Sequence, residues 1–379
     1  MPGSGLTFVT IGDPSQRTGG YLYNAQVLGA LRERGAPDGG PVDQVVIPVG
    51  APVEALRNAL ERRCSALVVL DSIAMEPAVP LLDWLSERGT RSVALMHMLP
   101  SALARDRERF RQIERRFVRG VDACIAVSPA MARQLVDLGA PPERVRVVPP
   151  GRDGVPADRR HAGPPGVTRF LVVANWSPNK GIHRVSRAFG DLRASGRSAH
   201  LDLVGATGEA AYARRVRRIL ADGGFASDVR VWGTLSSDGL AQRYADADVF
   251  VLPSRSEGFG TVYAEALGHG LPVIAYRIEP VSWLVPEGCG ILVPEDGRDA
   301  LGAAMIRLAD DPKLRRRVAA RARRRVKALP TWQESGAEFC RIIADVLCER
   351  RSRGNHNRAA PESISLVPPD ARAVAGGPV

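Results

Sequence analysis

Two carboxylates bracket a glycine-bearing turn in Glu257-Gly-Phe-Gly260…Glu265, with seven residues between them. Short apolar runs of buried-strand type, Val249–Leu252 and Pro272–Ala275, flank the segment, so the turn joins a strand to a helix start. In an open parallel sheet, ligands bind outside the carboxyl ends of the strands. Acidic side chains placed there hold sugar hydroxyls. Amides after Gly260 can receive phosphate oxygens, because a helix start carries N–H groups without intrahelical partners and the positive end of the dipole. The pattern suits a ligand that is sugar at one end and phosphate at the other.

Lys180 stands out by scarcity. Of 52 basic residues only Lys180, Lys313 and Lys327 are lysine, and Lys180 is the sole one in the first 312 positions. A compact ammonium where arginine serves elsewhere points to a geometric demand. It follows the strand-like Arg169–Ala174 through Asn175-Trp-Ser-Pro-Asn-Lys180-Gly, and Ile182 opens a helical segment. There it can neutralise a phosphate, or it is a solvent-facing loop lysine. His97 ends the apolar run Ser92–Met96, where a histidine can bond a ligand hydroxyl or simply be structural. Gly19 and Gly20 close the loop Gly12–Gly20 after the first strand and allow close backbone approach. That loop is neither G-x-G-x-x-G nor a Walker loop, which gives little support to a nicotinamide or ATPase reading. Ser128 reads equally as a helix cap and a ligand contact. H-E-x-x-H, metal-like histidine spacing and G-x-S-x-G are all missing from the sequence.

The elements that position these residues alternate throughout. Leu6–Ile11, Gln44–Pro48, Ala66–Leu70, Ser92–Met96, Ala123–Val127 and Val145–Val148 read as strands with helices such as Leu22–Arg34 and Arg105–Gly120 between them. Pro149–Gly154 and the polar stretch to Gly166 form a linker signal. A second series follows at Arg169–Ala174, His200–Val204, Val229–Trp232, Val249–Leu252, Pro272–Ala275 and Gly290–Val293. This predicts an α/β protein with two parallel sheets. We expect one domain over 1–150, a second over 155–330, a helix at 331–350 packing back on the first, and a disordered tail at 351–379.

With 379 residues, 45% apolar and 25% charged, the chain has globular composition and the length for two domains. No apolar run reaches the ~18 residues of a membrane span, and no signal peptide opens the chain. A cytoplasmic protein is expected. Its five scattered cysteines read as reduced small hydrophobes, mostly buried. The net charge of +11 favours phosphorylated ligands, nucleic acid or anionic lipid. In the basic segment Arg315–Lys327, however, Leu314, Val318, Ala322 and Val326 recur every fourth residue as the stripe of a helix lying on a core. No aromatic interleaves with its arginines, so a nucleic-acid partner is not expected, and peripheral membrane contact is not favoured.

Taken together, these features resemble the retaining glycosyltransferases of family 4, which have the GT-B fold of two Rossmann-like parallel-sheet domains facing across a cleft. The likeness covers about Leu6–Leu347 and is most specific in the Glu257…Glu265 element, with Pro253-Ser254 before it and Gly270-Leu-Pro-Val273 after. Ile125-Ala-Val-Ser128, Pro149-Pro-Gly151 and Leu203-Val-Gly205 fall where the family has comparable elements. The resemblance implies a nucleotide-sugar donor held by the second domain, with His97, Lys180 and Glu257 as the catalytic set. Glu265 would hold the ribose, and Lys180 the diphosphate together with amides around Gly260, Thr261 and Val262. Glu257 and the Gly258–Phe259 backbone would orient the sugar, while Gly19 and Gly20 close over it. An acceptor would lie near Tyr21, Tyr23 and Asn24. No metal or other cofactor is implied, since Lys180 and helix amides replace a divalent cation. The family's Gly-Arg before the lysine loop is Ala174-Asn175 here, and Arg255 is the candidate to supply the missing charge. Other readings are a non-catalytic carbohydrate-binding or scaffold protein of the same fold, which Asn175 favours, and a GT-B epimerase or phosphorylase. A phosphorylase would need a longer chain and a cofactor-bearing lysine.

Overall fold

Every strand runs parallel to its neighbours in the computed structural model, which describes residues 3–154, 166–295, 297 and 299–352. The first sheet comprises β1 (Leu6–Ile11), β2 (Val42–Ile47), β3 (Leu67–Asp71), β4 (Arg91–Met96), β5 (Ala123–Ala126) and β6 (Val145–Val147). Their spatial order is β2-β1-β3-β4-β5-β6. The second comprises β7 (Thr168–Val173), β8 (Ala199–Val204), β9 (Val229–Gly233), β10 (Val249–Leu252), β11 (Val273–Tyr276) and β12 (Gly290–Val293), in the order β12-β11-β10-β7-β8-β9. The predicted strands are all present, with ends moved by one or two residues. Both sheets are flanked by helices, which is why β3, β5, β10 and β11 are apolar on both faces and wholly buried. Successive residues serve opposite faces: Phe8, Val69 and Leu95 join one core, and Val9, Leu70 and Ala94 the other.

Each sheet reverses its winding once, between β1 and β3 in the first and between β7 and β10 in the second. Crevices form outside the strand ends at such switch points. The loops after β1, β3, β7 and β10 are therefore the places where a ligand site can be built.

The chain crosses between the lobes twice, at neighbouring places. Arg152 N donates to Pro330 O at 2.8 Å, and Arg152 and Thr331 form a parallel bridge. Thr331 and Glu334 then form a capping box: Glu334 Oε2 accepts from Thr331 N at 2.7 Å, and Thr331 Oγ1 accepts from Glu334 N at 3.2 Å. The helix it starts, Trp332–Ser352, lies on the first-lobe helix Gly19–Arg34, with Trp332 and Phe339 edge-on to Tyr23 at 6.0 and 6.5 Å. The expected tail falls outside the described residues from 353 on, as does the linker from 155 to 165.

In the basic helix Pro312–Lys327 the stripe Leu314, Val318, Ala322 and Val326 is buried, as its spacing predicts. Two of its arginines are structural. Arg315 donates to the last-turn carbonyls of Leu308 and Ala309, and Arg325 donates to Trp283 O and Leu284 O while lying over the Trp283 ring. All five cysteines are free; Cys64 and Cys348 are exposed rather than buried. Among the described residues, no helix is long and apolar enough to cross a membrane.

Phe339 is wholly buried where the last helix docks. Phe339→Ala should cost about 3–5 kcal/mol of stability, the usual range for emptying an aromatic site. Urea unfolding measures it, and an unchanged midpoint would contradict the docking.

Candidate active site

Lys180 and Glu257 meet at the switch point of the second sheet, one after β7 and the other after β10. Their loops are tied together: Arg255 N donates to Asn179 O, and Asn179 Nδ2 donates to Ser256 O, both at 3.0 Å. The tie places Lys180 Nζ 2.6 Å from Glu257 Oε1. The ammonium side chain keeps 26% exposure and the carboxylate 9%, so the pair is reached from the cleft mainly through the lysine. Gly260 follows with φ +91°, a left-handed conformation natural to glycine, and starts the helix Thr261–Gly268. The N–H groups of Thr261 and Val262 at its start have no partner within the helix, whereas Tyr263 N donates to Gly260 O at 3.0 Å.

These groups face the first lobe across a cavity of about 500 Å³, lined by Lys180, the Glu257–Val262 segment, the Thr18–Tyr21 loop, Asp71 and His97. Gly19 lies against Thr261 and Gly20 against the His97 ring. The structure thus brings Lys180, Glu257, Gly258, Phe259, Gly260, Thr261, Val262, His97, Gly19, Gly20 and Tyr21 to one place.

His97 is held by a buried chain of polar groups. Asp71, 1% exposed, ends β3 and accepts from Thr10 Oγ1 and Asn24 Nδ2. A carboxylate only accepts, so Asn24 must turn its amide nitrogen toward Asp71 and its Oδ1 toward His97. His97 Nε2 lies 2.8 Å from that oxygen and must carry the hydrogen. Nδ1 remains as the acceptor of the neutral ring. Burial lowers the His97 pKa, and the Asp71 charge opposes that shift.

Four expectations need correction. Tyr23 is wholly buried, and its hydroxyl donates to Val148 O at 3.0 Å, so it is core and not an acceptor contact. Asn24 is buried and committed to Asp71 and His97. Asn175 lies off the cavity, with Oδ1 accepting from Ala206 N at 3.1 Å. Arg255 pairs with Glu295 and lines a neighbouring cavity instead of the main one.

Glu265 sits beyond the main cavity wall, where Tyr244 donates to its Oε2 at 2.7 Å. Burial pushes its carboxyl up to about 7, against the Tyr244 bond. Asp71 and Tyr244 went unread in the sequence. The signal for Asp71 was an acid closing an otherwise apolar strand; for Tyr23, the stripe with Val27 and Leu31 marked a core face. Among the described residues, no three His, Cys, Asp or Glu side chains gather as a metal-ligating group.

Comparison with known proteins identifies the family and the fold. The family profile "Glycosyl transferases group 1" matches residues 157–325, and "Glycosyltransferase Family 4" matches residues 36–154. The chain belongs to the family-4 glycosyltransferases, and its fold is GT-B. A relative named MMP alpha-(1->4)-mannosyltransferase, from Mycolicibacterium hassiacum, is 31% identical over 241 residues, covering 60% of this chain and 55% of that protein. The chain thus spans a little over half the length of this curated relative. The solved structure of sucrose-phosphate synthase from Thermosynechococcus elongatus superposes with a TM-score of 0.76 at 21% identity, over 91% of this chain and 100% of that one. Anabaena Alr3699/HepE, solved in complex with UDP-glucose, superposes with a TM-score of 0.70 at 18% identity, over 91% and 99% of the two chains.

Two titrations test the site. Asp71→Asn removes the negative charge that favours the imidazolium, so the His97 pKa should fall further. Ring-proton NMR reads this, and a rise would refute the buried chain. Glu265 has a folded pKa of about 7, above its ordinary 4.5, so the folded state keeps a proton that the unfolded chain releases. Its contribution to stability is therefore largest in acid and is lost as pH rises from about 4.5 to about 7. Glu265→Gln should remove that slope from a plot of urea midpoint against pH; an identical slope would contradict the assignment.

Proposed function

We propose that this protein is a retaining, metal-independent glycosyltransferase that moves a sugar from a nucleoside diphosphate to a hydroxyl of a saccharide, a lipid-linked sugar or a small metabolite. The observation that carries the reading is the Lys180–Glu257 pair at 2.6 Å, set beside the Thr261 helix start and facing His97 across the cavity. Lys180 and the helix amides receive the diphosphate, where negative charge grows as the bond to the sugar breaks. Glu257 and the backbone at Gly258 and Phe259 hold the sugar hydroxyls. Glu265, beyond the cavity wall, takes the nucleotide ribose.

The acceptor oxygen attacks the anomeric carbon from the side of the leaving phosphate, a phosphate oxygen takes the acceptor proton, and the configuration is retained. Alignment and charge stabilisation, rather than a dedicated base, then lower the barrier. The cationic charge comes from Lys180 and the helix end, which supports metal independence.

One observation favours the runner-up, a carbohydrate-binding protein without turnover. Lys180 is the only lysine or arginine among the described residues lining the cavity.

The test is a screen of UDP-, GDP- and ADP-sugars followed by NMR of the product. Transfer should retain anomeric configuration and survive a metal chelator, and Lys180→Ala should slow it by about 10²-fold, the effect of losing one transition-state donor. Nucleotide binding without any turnover would favour the runner-up. An inverted product or full activity in Lys180→Ala would refute the mechanism.

A further inference from the structure

We propose that the acceptor carries an anionic group, a phosphate or a carboxylate, seated in an arginine-lined cavity beside the donor site; this rests on the glycosyltransferase reading above. The second cavity measures about 470 Å³, and Met98 and Glu257 line both it and the main cavity. A molecule held in it therefore lies beside the sugar end of the proposed donor site.

Its charge is built from both lobes. Arg107, Arg111 and Arg115 line it from one face of the helix Arg107–Gly120, and Arg255 lines it from the opposite lobe. Like charges four residues apart on a helix repel, so the row opposes its own helix unless an anion compensates it. The wall's carboxylates offset the row only in part: Glu114 acts on Arg111 and Arg115 through its charge, without an ion pair among the described residues. Glu114 is buried and accepts from Ser101 N at 2.7 Å and Ser101 Oγ at 2.8 Å, and Glu257 holds Lys180. Asp137 is the one carboxylate of the wall outside those contacts. Arg115 has Glu108 at 3.6 Å and Arg255 has Glu295, but Arg107 and Arg111 make no ion pair among the described residues.

Four arginines thus line the space, and two of them, Arg107 and Arg111, make no ion pair among the described residues. The planar fork of arginine matches the paired oxygens of phosphate and carboxylate. Leu99, Met131 and Leu138 supply an apolar wall, so the space takes an organic body and not only an inorganic ion. Because Arg255 belongs to the second lobe, the anion is held only where the lobes face each other.

Calorimetry on the full chain, saturated with whichever of UDP, GDP or ADP it binds, tests this with glucose, glucose 6-phosphate and glucuronate. The bound nucleotide blocks Lys180. Glucose 6-phosphate or glucuronate should bind at least about ten-fold tighter than glucose, the factor of one charge-assisted contact, and the tighter of the two identifies the anion. The Arg107→Gln, Arg111→Gln double variant should erase the margin, while Arg111→Lys retains part of it. No margin over glucose, or a margin that survives in the double variant, overturns the inference while leaving the donor reading intact. A chain that binds no nucleoside diphosphate overturns both.

Discussion

The site depends on one place where backbone meets backbone. A Cβ on Gly258 would lie 1.5 Å from the carbonyl oxygen of His97, so the second-lobe loop can approach the first only because position 258 has no side chain. Ser128 fastens the contact: its hydroxyl accepts from Met131 N at 3.1 Å, capping a first-lobe helix, and donates to Gly258 O at 2.8 Å. Arg133 to Glu279 at 3.3 Å and Arg17 to Ser237 add flanking contacts between the lobes. Glu257 precedes the pinned glycine and Phe259 follows it. Pinning the glycine places the acidic group, and through it Lys180, opposite His97.

That placement gives the Lys180–Glu257 pair a double use. Without ligand each group neutralises the other, so neither charge is left unpaired in a half-buried cleft. On the proposed reaction a diphosphate takes the ammonium and the sugar hydroxyls take the carboxylate. The same two side chains are thus already ordered, and less freedom is lost when the donor enters. His97 is prepared in the same way: Asp71 and Asn24 fix its ring and tautomer before any substrate arrives.

What could be read from the sequence was what depends on local period and spacing. Strands show as apolar runs, the basic helix as a fourfold stripe, and the glutamate element as a fixed interval between a strand and a helix. The polar chain behind His97 was hidden because it joins Thr10, Asn24, Asp71 and His97 from four parts of the chain, 47 positions apart from Asn24 to Asp71 and 73 from Asn24 to His97. A single sequence holds no record of that pairing. Tyr23 and Asn24 were misplaced for a related reason. They follow two glycines at a cleft-facing helix start, but beyond the exposed Leu22 the helix turns Tyr23 and Asn24 inward. Asn175 and Arg255 sit in the right loops with side chains aimed elsewhere, and loop membership does not fix direction.

The contrast between lysine and arginine gives a reason why Lys180 is the one lysine or arginine among the described residues lining the main cavity. Arginines elsewhere satisfy several fixed acceptors at once, as Arg197 does with both oxygens of Asp310 at 2.7 Å, and Arg325 with two carbonyls and a tryptophan face. Such forks suit permanent structure. The Lys180 ammonium bonds one oxygen of Glu257, through a group that can rotate its donors without moving its charge. On the proposed reaction the ammonium passes from a carboxylate to a phosphate, and that step needs such freedom. With Asn175 spent on the Ala206 amide, the proposed diphosphate would meet this one charge and the helix end beside it, so on that reading the closeness of the two lobes has to supply the low-dielectric surroundings that make a single charge sufficient.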